Sequence, residues 1–78
     1  MKMQELFYFE ATTIDQGRGT TEVWGWGKKS IETRDGLVIM TRVDGSTAVI
    51  PVANLHFLKT FLAGDPRIPL ARQTPPKL

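Results

Sequence analysis

Short apolar runs alternate along this chain with clusters of glycine, aspartate and lysine, a rhythm that predicts short strands joined by turns. Glu5 to Thr12 is rich in aromatic and β-favouring residues and holds neither glycine nor proline, so it reads as a strand. Alternation puts Phe7, Phe9 and Ala11 on one face and Leu6 and Tyr8 on the other, leaving both faces apolar at its centre. Gly17 and Gly19, within Asp15 to Gly19, supply positive-φ positions for a hairpin loop. The return strand, Thr20 to Gly27, places Glu22, Trp24 and Trp26 on one face and Val23, Gly25 and Gly27 on the other. Alternate glycines strip a strand face of side chains and suit a bend, a bulge or a close approach by another backbone. After the polar break Lys28-Lys29-Ser30 come a short strand at Ile31 to Thr33, a turn at Arg34-Asp35-Gly36 and an apolar strand at Leu37 to Arg42. Asp44-Gly45 is a strong hairpin signal that leads into Thr47 to Ile50.

From Pro51 two readings fit. Val52, Leu55, Leu58 and Leu62 follow helical spacing, with Pro51 at the start, Gly64 beyond the end and Pro66 as a stop, which predicts a helix over about 51–63. Alternatively, Pro51 to Asn54 makes one tight 3-10 turn and Leu55 to Lys59 a last short strand. The order of Asp-Gly hairpin, apolar strand, proline, three residues and leucine resembles the end of many SH3-like small barrels, over about Val43 to Leu58. The expected fold is therefore all-β or α+β: a small antiparallel sheet or an SH3-like barrel of 4–5 strands, with the C-terminal helix as the alternative ending. Residues 64–78 hold four prolines and no apolar period, and read as an extended or disordered tail following a single domain over 1–63.

A chain of 78 residues holds one core and buries only about 60% of its unfolded surface, so a disulfide, a metal or a partner subunit is a common support at this size. Cysteine is absent and His56 is the only histidine, which leaves no disulfide, no thiol chemistry and no Cys- or His-rich metal site within one chain. The apolar second faces around Phe7 and Leu37 need a cover, from a helix, from closure into a barrel or from a second subunit, and on this ground a homo-oligomer is expected. No apolar run approaches the roughly 18 residues of a membrane span, and Met1 to Glu5 lacks the pattern of an export signal, so a cytoplasmic protein without membrane contact is expected. The net charge of +2 is unevenly placed. Glu5, Glu10 and Asp15 outweigh Lys2 near the start, whereas Lys59, Arg67, Arg72 and Lys77 outweigh Asp65 at the end.

The familiar catalytic and cofactor patterns are missing. Gly17-Arg18-Gly19 and Gly25-Trp26-Gly27 lack the third glycine and the following helix of a dinucleotide loop, and Gly27-Lys28-Lys29-Ser30 lacks the first glycine of a Walker loop. Ser30 and Ser46 lie in turns, Glu5 and Glu10 point to opposite faces of one strand, and Asp35 and Asp44 belong to turns, so no acid, base or nucleophile set forms around His56. These residues predict a protein that is not an enzyme and carries no cofactor.

Trp24 and Trp26 are the most informative pair. They read either as core filling or as a contact surface for another protein, with Tyr8, Arg34 and Arg42 as contributors. A binding or accessory protein, such as the inhibitors common in phages and mobile elements, fits this composition. The alternatives are a single-strand nucleic-acid surface in which the indoles stack bases and Arg18, Lys28 and Lys29 meet phosphates, and an oligomeric barrel holding a small ligand near Val49 to Val52. Arg67 to Arg72 reads as part of a solvated end or, alternatively, as a segment that docks in extended form into a groove or along a sheet edge.

Overall fold

The computed structural model of the chain describes residues 6–15, 17, 19–28 and 31–76. It is all-β: two small three-stranded antiparallel sheets with 3-10 turns and, among the described residues, no α-helix. The strands are β1 (Phe7–Asp15), β2 (Gly19–Gly27), β3 (Glu32–Arg34), β4 (Leu37–Thr41), β5 (Thr47–Pro51) and β6 (Leu55–Leu62). The first sheet has the order β2-β1-β6 and the second β3-β4-β5. A bridge between Gly27 and Arg42, with the Val43 amide donating to the Trp26 carbonyl at 2.8 Å, ties the two sheets together.

Turn chemistry sets the registers. Asp35 and Gly36 both have positive φ, 53° and 74°, as a two-residue hairpin twisted to match its strands demands, and Arg34 pairs with Leu37 across it. Asp44-Gly45 lies in a longer loop between Thr41 and Thr47, where the Asp44 carboxylate accepts from the Ser46 amide at 2.8 Å and its hydroxyl at 2.6 Å. The inward faces of β1, β4 and β5 supply the main core: Phe9 and Ala11 meet Val38, Met40, Ala48 and Ile50, with Phe7, Val23, Ile31, Leu55 and Leu58 around them.

The helix expected over 51–63 does not form. Val52–Asn54 is a single 3-10 turn and Leu55–Leu62 is a strand paired along β1, so the α+β alternative is corrected to all-β. The three-residue spacing of Leu55 and Leu58 has another cause. Thr12 pairs with Phe57 and Thr13 with Leu55, so His56 is the extra residue of a bulge. One added residue resets the period-two alternation, and Leu55 and Leu58 both pack against the main core.

Gly25 and Gly27 are required by close approach, as their alternation suggests, but chiefly of side chains. A Cβ at Gly25 would lie 2.7 Å from Nε of Arg42, and one at Gly27 would lie 2.7 Å from the Phe7 ring and 3.1 Å from the Thr41 carbonyl oxygen. At Gly25 the glycine face of β2 is thus a slot through which the Arg42 stem runs, and at Gly27 it seats the Phe7 ring.

β1 is covered on both sides. Its inward residues face the second sheet, while Tyr8 on the outward face joins Trp26 and Ile68 in a second buried cluster, with Leu6, Val43 and Phe61 around it. The segment after β6, read from its prolines as extended or disordered, turns at Gly64 (φ +90°), crosses back over this sheet and ends its described part in the 3-10 turn Leu70–Arg72 and residues 73–76.

Candidate functional site

The outward face of the first sheet carries most of the aromatic side chains. Pairing sets Tyr8 beside Trp26 on one side and Phe61 on the other, and sets Glu10 beside Trp24 and Lys59. Tyr8 meets Trp26 edge-on at 5.6 Å, lies 6.1 Å from Trp24 and stacks on Phe61 at 6.4 Å and 9°. Such offset and edge contacts place the positive rim of one ring near the negative face of another and add about 0.5–1.5 kcal/mol each beyond area burial.

The C-terminal segment is seated on this face by three side chains. Ile68, 2% exposed, fills the hollow between Tyr8 and Trp26. Arg67 holds its guanidinium 4.7 Å from the centre of the Phe61 ring, and its Nη2 meets Asp65 at 2.7 Å. Arg72 lies 4.4 Å from the centre of the Trp24 ring, and its Nη1 sits among three oxygens: Glu22 Oε1 at 2.7 Å, the Tyr8 hydroxyl at 2.9 Å and Glu10 Oε2 at 3.3 Å. The backbone closes the set, since the Trp26 indole donates to the Arg72 carbonyl at 3.0 Å and the Gln73 side-chain amide donates to the Ile68 carbonyl at 2.9 Å.

These contacts explain the electrostatics of the face. Burial pushes the Tyr8 phenol above its ordinary value; the hydrogen bond from Arg72 works against this, whereas the bond to Glu10, 2.7 Å long, works with it. The Asp65 carboxyl is held below its usual range by the Arg67 side chain and then by the Arg67 amide. Because the Tyr8 shift is upward, its contribution to stability is complete below the unfolded phenol's value of about 10 and is lost as pH rises through the folded value. Tyr8 is the only tyrosine, so tyrosinate absorbance reports it alone. In folded protein the absorbance rise should come at higher pH than in denaturant, and coincident titrations would show the phenol to be uncovered.

The expected contact residues separate. Trp24 is 39% exposed, whereas Trp26 is 6% and Tyr8 0% exposed, so the two indoles offer one open ring and not a two-base platform. Arg42 is half-buried; its Nε donates to the Trp24 carbonyl at 3.1 Å and its Nη1 to the Ser46 hydroxyl at 3.3 Å. Arg34 lies on β3 in the other sheet, exposed, with Glu32 at 4.0 Å. Lys28 is exposed just beyond β2, and Arg18 and Lys29 lie outside the described residues. Val49 and Val52, assigned to a ligand pore, are exposed on β5 and the 3-10 turn. Among the described residues, no three histidine, aspartate or glutamate side chains gather as metal ligands would.

Glu10, Glu22 and Phe61 enter the site without being contact candidates in the sequence, whereas Ile68 and Arg72 belong to the Arg67–Arg72 segment whose alternative reading is docking in extended form. The sequence signal for Glu10 and Arg72 is charge, an acidic start against a basic end. Beside the seated segment lies an open cleft of about 370 Å³, bounded by Trp24, Gly25, Trp26, Arg42 and Val43 on one side and by Arg72, Thr74 and Pro76 on the other. No protein-family model, no curated protein and no solved structure matches this chain.

Proposed function

We propose that this chain is a non-enzymatic docking module that contacts a partner protein through the surface centred on Trp24. The observation that carries the reading is the position of that indole: exposed, backed by the Arg72 guanidinium, and at the wall of an open cleft whose other members include Arg42. Tryptophan and arginine are among the residues that most often dominate binding at protein interfaces, tryptophan because it buries a large area with little rotamer loss and arginine because its planar fork presents five donors. With Trp26 closed, the indole pair presents one open ring, which favours a protein partner over a strand stacked along two successive indoles.

Trp24→Ala should abolish capture of the partner from a nuclease-treated lysate of the native host while shifting the thermal midpoint by only a few degrees, since the side chain faces outward. Undiminished capture by the substituted protein would refute the assignment. Capture that vanishes on nuclease treatment for the unsubstituted chain would transfer the reading to nucleic acid.

A further inference from the structure

The two sheets end in four edge strands, and three of these carry a device that discourages pairing with another chain. On β2 the Trp24 carbonyl accepts from Arg42 Nε at 3.1 Å and the Trp26 carbonyl from the Val43 amide at 2.8 Å, so that edge is partly occupied. β3 is only three residues long and carries Glu32 and Arg34. β6 is interrupted by the bulge at His56 and carries Lys59. The fourth edge, β5, has no charged residue and an unbroken register against β4, and only Pro51 at its end interrupts the row of donors.

Hydrogen bonds at the two ends of the β4–β5 ladder show which way its backbone groups point. The Arg42 amide donates to the Ser46 carbonyl at 2.7 Å, and the Val52 amide to the Gly36 carbonyl at 2.9 Å. Bonded and unbonded positions alternate along an antiparallel pair, so Ala48 and Ile50 bond to β4 while Thr47, Val49 and Pro51 turn their backbone groups to the open side. Among the described residues, no backbone hydrogen bond outside the ladder involves Thr47 or Val49. This edge is its own complement about a two-fold axis through Val49. Each Val49 amide would donate to the Val49 carbonyl of the other copy, and each Thr47 amide to a Pro51 carbonyl. The donor that Pro51 lacks falls at the end of the pair, opposite Thr47, and leaves the central bonds intact. Val49, 51% exposed, would face its own copy between the two Ile39 side chains, a β-branched cross-strand pair. An edge reserved for a foreign strand and closed to copies of itself needs a charge that repels its like, and β4 and β5 carry none.

We propose that the chain forms a two-fold dimer through β5, in which the second sheets of two copies join edge to edge in the order β3-β4-β5-β5-β4-β3, with Val49 on the axis. The interface lies on the sheet that does not carry Trp24, so it stands independently of the docking surface. Five residues from each copy make a small contact, and the dimer is accordingly a concentration-dependent one.

Sedimentation equilibrium of the full chain over a concentration series should show the average mass rising from one chain towards two. Val49→Lys sets like charges against each other on the axis at an exposed position, and should raise the dissociation constant about tenfold or more. Val49→Glu should do the same. An equimolar mixture of the two variants should recover the dimer, because only a register that opposes the two Val49 positions turns both repulsions into an attraction. Three results would each overturn the proposal: a wild-type chain that stays monomeric or climbs past two copies, a V49K chain that dimerises as well as the wild type, and a mixture no heavier than its components. Should the variants not fold, amide exchange on the wild-type chain decides. The Thr47 and Val49 amides should exchange more slowly as protein concentration rises, and rates independent of concentration reject the edge. Dimerisation should survive Trp24→Ala, so failure of the docking surface and failure of the dimer are read separately.

Discussion

Replacing Trp26 by alanine should lower the unfolding free energy by about 3–5 kcal/mol, the cost of emptying a large buried aromatic site. A domain of this length holds only about 4–12 kcal/mol in total, so much of its stability goes with one side chain. Two losses combine. The indole packs on Tyr8 and Ile68 at the centre of the outward cluster, and its N–H is the donor that fixes the Arg72 carbonyl. Trp24, its neighbour two positions away on the same strand face, meets the Arg72 guanidinium over an exposed ring, and its removal should cost about 1 kcal/mol. Chemical denaturation of the two single variants measures the contrast directly. Equal midpoints would mean that Trp26 is not the floor on which the tail rests.

Ile68→Asp should act by a different route, because the cost cannot exceed the free energy that holds the segment down. A carboxylate is not accommodated in a hollow lined by Tyr8 and Trp26, so the tail lifts instead of the sheets unfolding. The outward rings of Tyr8, Trp26 and Phe61 are then bare on one sheet, a contiguous apolar patch of the kind that drives association. The expected result is a red shift of tryptophan emission at full retention of β structure, together with a mass by light scattering that grows with concentration more steeply than for the wild type. An unchanged emission maximum and mass would show that residues 65–73 do not shield the face.

Several features of the fold were legible because they follow from local chemistry. Gly17, Gly19, Asp35-Gly36 and Asp44-Gly45 mark the reversals, and strand positions between them follow from alternation. The ending was ambiguous for an identifiable reason: a bulge at His56 converts a two-residue period into a three-residue one, which imitates one turn of helix. The all-β ending reads correctly only if such a bulge is allowed.

The candidate site was legible in part. Tyr8, Trp24, Trp26 and Arg42 do gather at one end of the first sheet, but which rings are open depends on contacts that join Trp26 and Tyr8 to a residue 46 and 64 positions away, and no local pattern encodes these. The charge asymmetry between the start and the end of the chain pointed towards them, since Glu10 and Arg72 are members of those two groups. Arg34 is a contact candidate by residue type alone, and its place in the three-residue β3 of the other sheet sets it apart from that cluster.

The reach of those contacts bears on the order in which the chain is made. β1 is covered on its outward side by residues that follow it by about sixty positions and are therefore made later, and synthesis proceeds at about 5–20 residues per second. Until Ile68 has emerged, a nascent chain can pair its first strands but lacks the side chain that covers Tyr8 and Trp26. The interval is brief, yet throughout it the aromatic face is open to whatever extended segment is at hand.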